Sequence, residues 1–202
     1  ENHNIPEEMC FNDYKQLLAL GKIADFAIIA TMDQLHFAPA MEAISLKYDL
    51  LLEKPVSPLP EECRAIEAAA KAKGVNVLIC HVLRYTPFFG ALKSLIKKGY
   101  VGEVVNIQHT EGVGNIHQSH SFVRGNWSNS EESSFMLLQK SCHDLDVIQW
   151  LVDKPCKKVS SFGDLTYFTE KNAPEGATQY CYQCPHQKDC MFDAYKFQLE
   201  KD

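Results

Sequence analysis

The amino-acid sequence predicts an α/β fold in which helices pack on the faces of a parallel sheet. Three observations in the first 84 residues favour this fold. Short apolar runs alternate with amphipathic segments, glycine or proline stands at several boundaries, and the connecting loops are short. Parallel strands are joined by helical crossovers and are covered on both faces, so this alternation is their usual sequence pattern.

Each strand of the predicted sheet is a continuous apolar run. The runs predict strands at residues 25–31, 49–53 and 75–81. Because apolar residues do not alternate with polar ones inside these runs, we expect the strands to be buried on both faces.

The predicted helices carry recognisable start and stop signals. Asn12 or Asp13 can cap a helix that reaches Leu20, and Gly21 can end it in the left-handed region. A second helix is predicted at residues 36–46. Pro60 suits the first position of a third helix, which Gly74 ends.

The pattern of apolar and polar residues changes after residue 84, and we place a domain boundary between residues 84 and 85. We expect a helix from Thr86-Pro87 to Gly99, a strand at 102–111, a functional loop or lid at 113–133, a helix at 141–152, a strand at 157–168, a loop at 169–185 and a short helix starting near Asp189. The predicted units are therefore residues 1–84 and residues 85–202.

Composition excludes several classes of function. The 202 residues include 20 Lys and Arg against 26 Asp and Glu, a formal net charge of -6, which argues against a nucleic-acid partner. The longest apolar runs fall far below the roughly 20 residues that span a bilayer. The first residues lack the basic flank and apolar stretch of a signal peptide, so we expect a cytoplasmic protein without a membrane segment.

Two candidate sites follow the predicted strands. Lys54, in Glu53-Lys54-Pro55, stands at the carboxyl end of a strand, where ligands bind in open parallel sheets; the alternative is a solvated surface lysine. The turn from Ala30 and Thr31 to His36 could receive a phosphate or ribose at a helix N-terminus; the alternative is a simple helix cap.

A third candidate lies on the predicted helix 141–152. His143 and Asp146 share one face of it, and a carboxylate beside an imidazole can raise its basicity for general-base chemistry. By itself this spacing is more typical of a surface pair than of a catalytic one.

Together these segments resemble the glucose-fructose oxidoreductase and inositol dehydrogenase (Gfo/Idh/MocA) family of nicotinamide-dependent enzymes. The resemblance covers approximately residues 5–151. It is carried by the 31–36 turn, Glu53-Lys54-Pro55, Arg84-Tyr85-x-Pro87 with the following Gly99-x-x-Gly102-Glu103, and His143-Asp144-Leu145-Asp146.

The resemblance implies a Rossmann domain that binds NAD or NADP, followed by a domain with an open, mostly antiparallel sheet that serves substrate binding and often subunit contact. It assigns catalysis to Lys54 and His143. By the same resemblance, we expect Ala30, Thr31, Asp33, His36, Glu53, Lys54 and Arg84 near the cofactor, and Tyr85, Gln139, Lys140 and Asp146 near the substrate.

Two departures from the family pattern limit this comparison. Many members have Asp four residues before the catalytic His, where this chain has Gln139, and a neutral amide cannot raise the basicity of His143. The glycine-rich G-x-G-x-x-G fingerprint is also missing, since Gly112-Val113-Gly114 fits a turn or lid better. We therefore expect an internal piece of two larger domains.

A cysteine cluster near the end of the chain is a candidate zinc site. It consists of Cys181, Cys184 and Cys190, with His186 or a remote Cys as a possible fourth ligand. The alternative is a reduced loop, because a second Cys-x-x-Cys is absent. We expect the other five cysteines to be reduced thiols.

The sequence therefore predicts an NAD(P)-dependent oxidoreductase that acts on a small sugar, polyol or related hydroxy compound and forms a homo-oligomer. Two alternatives stay open at this point. One is glycoside cleavage through transient oxidation, and the other is a non-catalytic sensor on the same scaffold.

Overall fold

The computed structural model describes residues 3–199. The predicted parallel sheet is confirmed. It consists of β1 (Phe26–Ile29), β2 (Asp49–Leu52) and β3 (Val77–Ile79), with β2 in the middle. Leu50 lies opposite Ala27 on one side and Val77 on the other. The three strands therefore end at one common edge.

Helices connect and follow these strands. They are α1 (Tyr14–Leu18), α2 (Phe37–Ser45), α3 (Pro60–Lys73), α4 (Pro87–Lys97), α5 (Asn115–His117), α6 (Met136–Val152) and α7 (Ala194–Gln198). Single 3-10 turns lie at Glu7–Met9, Asp33–Leu35, Val82–Tyr85, Glu170–Asn172 and Cys181–Gln183, and a π-helical segment lies at Gln118–Val123. The caps predicted at Asp13 and Thr86 both accept backbone hydrogen bonds.

The hydrophobic core lies between one face of the sheet and the helices α2 and α3. Ala40, Ala43 and Ile44 of α2 meet Leu50 and Leu52 of β2, and Leu52 has no exposed surface. Ile66 and Ala70 of α3 close the core from the side. This packing holds the carboxyl ends of the strands in fixed positions.

Burial of the strands on both faces was predicted, and this is wrong for the described residues. Phe26, Ile28 and Leu78 are 58%, 62% and 52% exposed. Successive side chains of a strand point to opposite faces, and α2 and α3 cover only the face that carries Ile29, Leu50 and Leu52.

The strands predicted at 102–111 and 157–168 are not formed in the described part of the chain. Val105, Val159 and Phe162 are 92%, 80% and 97% exposed there. A strand exists only when its backbone groups are paired with a neighbour, and alternating sequence cannot supply that partner.

Two helix boundaries also differ from prediction. α6 begins at Met136, five residues before the predicted start, and ends before Asp153, which has a φ of 58°. The last helix begins at Ala194 because the Asp193 side chain accepts hydrogen bonds from the amides of Tyr195 and Lys196.

The second part of the chain packs on α6. Helix α4 and the 82–85 turn contact it, and the ammonium of the buried Lys93 donates to the carbonyl oxygen of Trp150. Among residues 3–199, no helix combines the length and the apolar character needed to cross a membrane.

Candidate active site

The carboxyl edge of the sheet gathers one functional side chain from each of two strand ends. The backbone ladder continues just past the strands, since Glu53 N donates to Ile29 O at 2.9 Å and Cys80 N donates to Leu52 O at 2.9 Å. Lys54 and His81 come next in sequence, so they leave the sheet at the same edge.

Lys54 connects this edge to α6. Its Nζ donates to Gln139 Oε1 at 2.9 Å and to the Gln139 carbonyl oxygen at 3.0 Å. Gln139 is buried. Two residues that are 85 positions apart in sequence therefore meet, and the lysine is not a solvated surface residue.

His143 stands one turn after Gln139 on α6 and faces His81. The two rings are arranged edge to face with centroids 5.8 Å apart. Burial lowers the pKa of His143, and the charges of Lys54, His81 and Lys140 lower it further, while Asp144 opposes them. A neutral imidazole is the form that accepts a proton.

Asp146 does not serve His143 as a carboxylate partner. It accepts two hydrogen bonds from Arg84, at 2.7 Å from Nε and 2.5 Å from Nη2, and this pairing raises the pKa of Arg84. Its Oδ1 also lies 3.8 Å from His81 Nε2. A cleft of about 550 Å³ opens beside this pair and is also lined by Trp150 and Lys154.

Asp33 and His36 are occupied by contacts within the protein. The buried His36 ring lies with Nε2 3.0 Å from Thr31 O and Nδ1 3.0 Å from Pro55 O. Asp33 Oδ2 accepts from Ser134 N at 3.2 Å. These contacts fix the 31–36 turn against the loop after Lys54 and against the segment leading into α6, so both residues position the site.

The other predicted cofactor and substrate residues surround this centre. Ala30, Thr31 and Tyr85 are exposed, and Glu53 is half-buried, with its carboxylate accepting from Lys54 N at 3.2 Å. Lys140 Nζ lies 3.2 Å from Glu111 Oε1. Their contacts with a ligand stay predictions.

Three residues near the centre were not among the predicted site residues. His81 follows β3 just as Lys54 follows β2, with one residue between the strand and the side chain in each case, and this equivalence could have revealed it. His109 and Glu111 gave no signal, because they lie in a predicted strand. His109 Nε2 lies 2.7 Å from Asp144 Oδ1. Together with the ion pair between Glu111 and Lys140, this contact holds the 109–111 segment against α6.

The cysteine cluster is separate from this centre. All eight cysteines are free thiols. Arg124 Nη1 donates to Cys181 Sγ at 3.3 Å, and His186 Nε2 lies 2.8 Å from Glu175 O. Within residues 3–199, the group of three or more ligand-type atoms that lie within 4.8 Å of one another belongs to His109, Glu111 and Asp144. Zinc at Cys181, Cys184 and Cys190 stays a prediction.

Comparison with family models decides the classification. Residues 1–81 match the model of the oxidoreductase family with an NAD-binding Rossmann fold, and residues 89–187 match the Gfo/Idh/MocA C-terminal domain. The chain belongs to the Gfo/Idh/MocA family. The resemblance drawn from the motifs is thereby confirmed, and the boundary at residues 84 and 85 stays a prediction between the two matched ranges.

Curated relatives of this Gfo/Idh/MocA chain are bacterial proteins. YteT of Bacillus subtilis, an oxidoreductase by description, is 28% identical over 185 residues, 89% of this chain and 42% of its own length. The 2,7-anhydro-N-acetylneuraminate hydratase of Escherichia coli is 29% identical over 79% of this chain and 42% of its own. An inositol 2-dehydrogenase of Corynebacterium glutamicum is 25% identical over 73% and 41%. The chain thus spans less than half of each relative.

Solved structures share the fold. An inositol dehydrogenase homologue from Azotobacter vinelandii, in complex with NAD+, superposes with a TM-score of 0.63 at 18% identity, over 72% of this chain and 40% of its own. The WlbA dehydrogenase of Bordetella pertussis, in complex with NADH and UDP-GlcNAcA, has a TM-score of 0.55 at 25% identity, over 70% and 40%.

The residues at the carboxyl edge fit the nicotinamide end of a dinucleotide. The edge exposes Ala30 and Thr31 and carries the ammonium of Lys54. The buried Nδ1 atoms of His81 and His143 have no hydrogen-bond partner among the described residues. The 202 residues contain no G-x-G-x-x-G loop, so no residue of this chain is assigned to the pyrophosphate.

Proposed function

We propose that these residues form the hydride-transfer site of an NAD-dependent dehydrogenase that oxidises a cyclic polyol or a sugar. The observation that carries the proposal is the contact of Lys54 with Gln139. It brings the strand-end lysine within one helical turn of His143, although the two stand 89 positions apart. Such a lysine and imidazole are the two groups that alcohol oxidation needs.

Each side chain has a definite task in this reaction. His143 is held neutral by burial and by the charge of Lys54, so it can accept the proton of the substrate hydroxyl. Lys54 donates a hydrogen bond to the same oxygen and stabilises the negative charge that develops on it. Gln139 holds the ammonium in place. A bound NAD would supply the hydride acceptor for the carbon that bears this oxygen.

The same proposal assigns the surrounding residues. Ala30, Thr31, Glu53 and Arg84 contact the cofactor. Asp33 and His36 hold the 31–36 turn in position next to it. Tyr85, Lys140 and Asp146 offer polar groups to substrate hydroxyls, and Asp146 acts with Arg84 as one unit. The inositol 2-dehydrogenase among the relatives and the WlbA dehydrogenase solved in complex with UDP-GlcNAcA support a polyol or sugar substrate.

The remaining part of the proposal concerns the second domain. We place the segments 102–111 and 157–168 in an open, mostly antiparallel sheet that pairs copies of the protein into a homo-oligomer. Support comes from the apolar side chains that these extended segments expose, such as Val105 and Phe162.

Turnover of candidate substrates by the intact protein tests the proposal. Myo-inositol, scyllo-inositol and UDP-linked sugars are offered with NAD, and reduced nicotinamide is followed by its absorbance. We expect turnover with at least one, and Lys54→Met should lower kcat by roughly 10²- to 10³-fold. Lys71→Met, at an exposed ion pair with Glu67, is the control that should keep activity. Full activity of Lys54→Met, or sugar release without reduced nicotinamide, would overturn the assignment.

A further inference from the structure

Two half-buried imidazoles share the centre of the candidate site, and the proposed reaction uses one of them. The His81 and His143 rings meet edge to face at 5.8 Å. Each has a buried Nδ1 without a partner among the described residues. Buried polar atoms are nearly always paired, so an orphaned pair side by side indicates a place where a further polar atom binds.

The spacing of the rings leaves room for one bridging oxygen. An oxygen about 2.8 Å from each of two nitrogens joins nitrogens that are about 5–6 Å apart, and ring centroids 5.8 Å apart allow that nitrogen separation. A water oxygen has this reach, and it is distinct from the substrate oxygen that gives up the proton. Protons move readily along such a chain of hydrogen bonds, since each member both donates and accepts.

Both rings face charges of both signs, but the nearby carboxylates are placed differently. His143 faces Lys54 and Lys140 as well as Asp144, whose carboxylate is engaged by His109. His81 faces Lys54 too, but its Nε2 lies 3.8 Å from Asp146 Oδ1, and Arg84 holds that carboxylate from the other side. A proton on His81 therefore lies next to the Asp146 carboxylate, which favours it, whereas burial and the charges of Arg84 and Lys54 oppose it.

We propose that His81 is a proton-relay residue that acts through His143 and carries the substrate proton toward Asp146 and solvent. This inference rests on the proposed function. In each turnover the hydroxyl O–H bond breaks and its proton joins a nitrogen of His143. The proton then crosses the bridging oxygen to His81, and it leaves to bulk water through the partly exposed edge of that ring. No electrons are transferred in these steps, and both imidazoles return to the neutral form.

The relay also answers the departure at Gln139. Because an amide cannot take a proton from His143, another acceptor is needed, and His81 is the neighbouring ring. His81 is a positioning residue in this account, since it touches the substrate proton only after His143 has released it.

Turnover of His81→Ala in the intact protein is the first test. We expect kcat to fall about 10- to 100-fold with KM nearly unchanged, and added imidazole to restore part of it. NADH affinity, measured by fluorescence, should stay at the wild-type value. His117→Ala, at an exposed ring outside the site, is the matched control. An unchanged kcat, or a loss that imidazole does not rescue, would overturn the relay.

A second measurement does not require the substrate. Nuclear magnetic resonance follows the titration of His143 in the wild type and in His81→Ala. Because His81 contributes to the lowered pKa of His143, we expect that pKa to rise in the variant. No change would show that the rings are uncoupled and would contradict the inference. If the wild type binds no NADH and oxidises no candidate substrate, the proposed function fails instead, and the titration still decides the coupling of the two rings.

Discussion

Gln139 sets the charge around His143. The family's pattern often has Asp at this position, whereas the Gln139 amide here accepts a hydrogen bond from Lys54 without cancelling its charge. That charge is one of the causes that lower the pKa of His143. The substitution therefore favours a neutral imidazole, which suits a base that releases its proton to a second ring.

Replacing Gln139 by Asp should reverse this effect. The new carboxylate would lie beside Lys54 and one turn from His143, so we expect the pKa of His143 to rise. The acidic limb of the plot of kcat/KM against pH should then move to higher pH. Gln16→Asp makes the same chemical change at an exposed position of α1 and should leave the limb in place. A limb that does not move in Gln139→Asp would contradict this electrostatic account.

At the scale of elements, the first half of the fold could be predicted because its signals are local. Apolar runs mark β1 to β3, and caps such as Asp13, Gly74 and Thr86 mark helix ends. The second half could not be predicted in this way, because strand pairing depends on segments far apart in sequence. The early start of α6 was missed since Gln139, Lys140 and Ser141 interrupt its apolar spacing.

The residues of the site could be predicted from the sequence, but the contacts between them could not. Lys54 and His143 were found because their motifs follow recognisable elements. The contacts that join them were not, since Lys54 meets Gln139 across 85 positions and Arg84 meets Asp146 across 62. Gln139 and Lys140 interrupt the apolar pattern of α6. Gln139 contacts Lys54, and Lys140 contacts Glu111.

The position of Lys54 depends on the packing of β2. Leu52 is fully buried two residues before Lys54. We expect Leu52→Ala to lower the free energy of unfolding by about 2–5 kcal/mol, because it leaves a cavity under α2. Leu20→Ala, at a side chain that is 51% exposed, should cost less than about 1 kcal/mol. Urea denaturation of the intact protein measures both, and equal costs would contradict the described core.

For the molecule as a whole, two histidines couple stability to pH. Burial lowers the pKa values of His81 and His143 below the ordinary value of 6.5. The folded state therefore binds protons less readily than the unfolded state. The contribution of the two neutral imidazoles to the free energy of unfolding is fully present above pH 6.5. It is lost as the pH falls through the two lowered pKa values.

Thermal unfolding at several pH values checks this coupling. The unfolding midpoint should decline as the pH falls below about 6.5, before most carboxylates are protonated. The double variant His81→Asn, His143→Asn should decline less steeply over the same interval, whatever its stability at neutral pH. Parallel curves for the two proteins would contradict the coupling.

The central claim is that Lys54 and His143 act as one catalytic unit. A double-mutant cycle on kcat in the intact protein tests it most directly, with Lys54→Met, His143→Asn and the combined variant. Groups that work on the same proton transfer are not additive, so the combined variant should be about as slow as the slower single variant. If instead the two losses multiply, or if either single variant keeps the wild-type kcat, the two residues do not form one site.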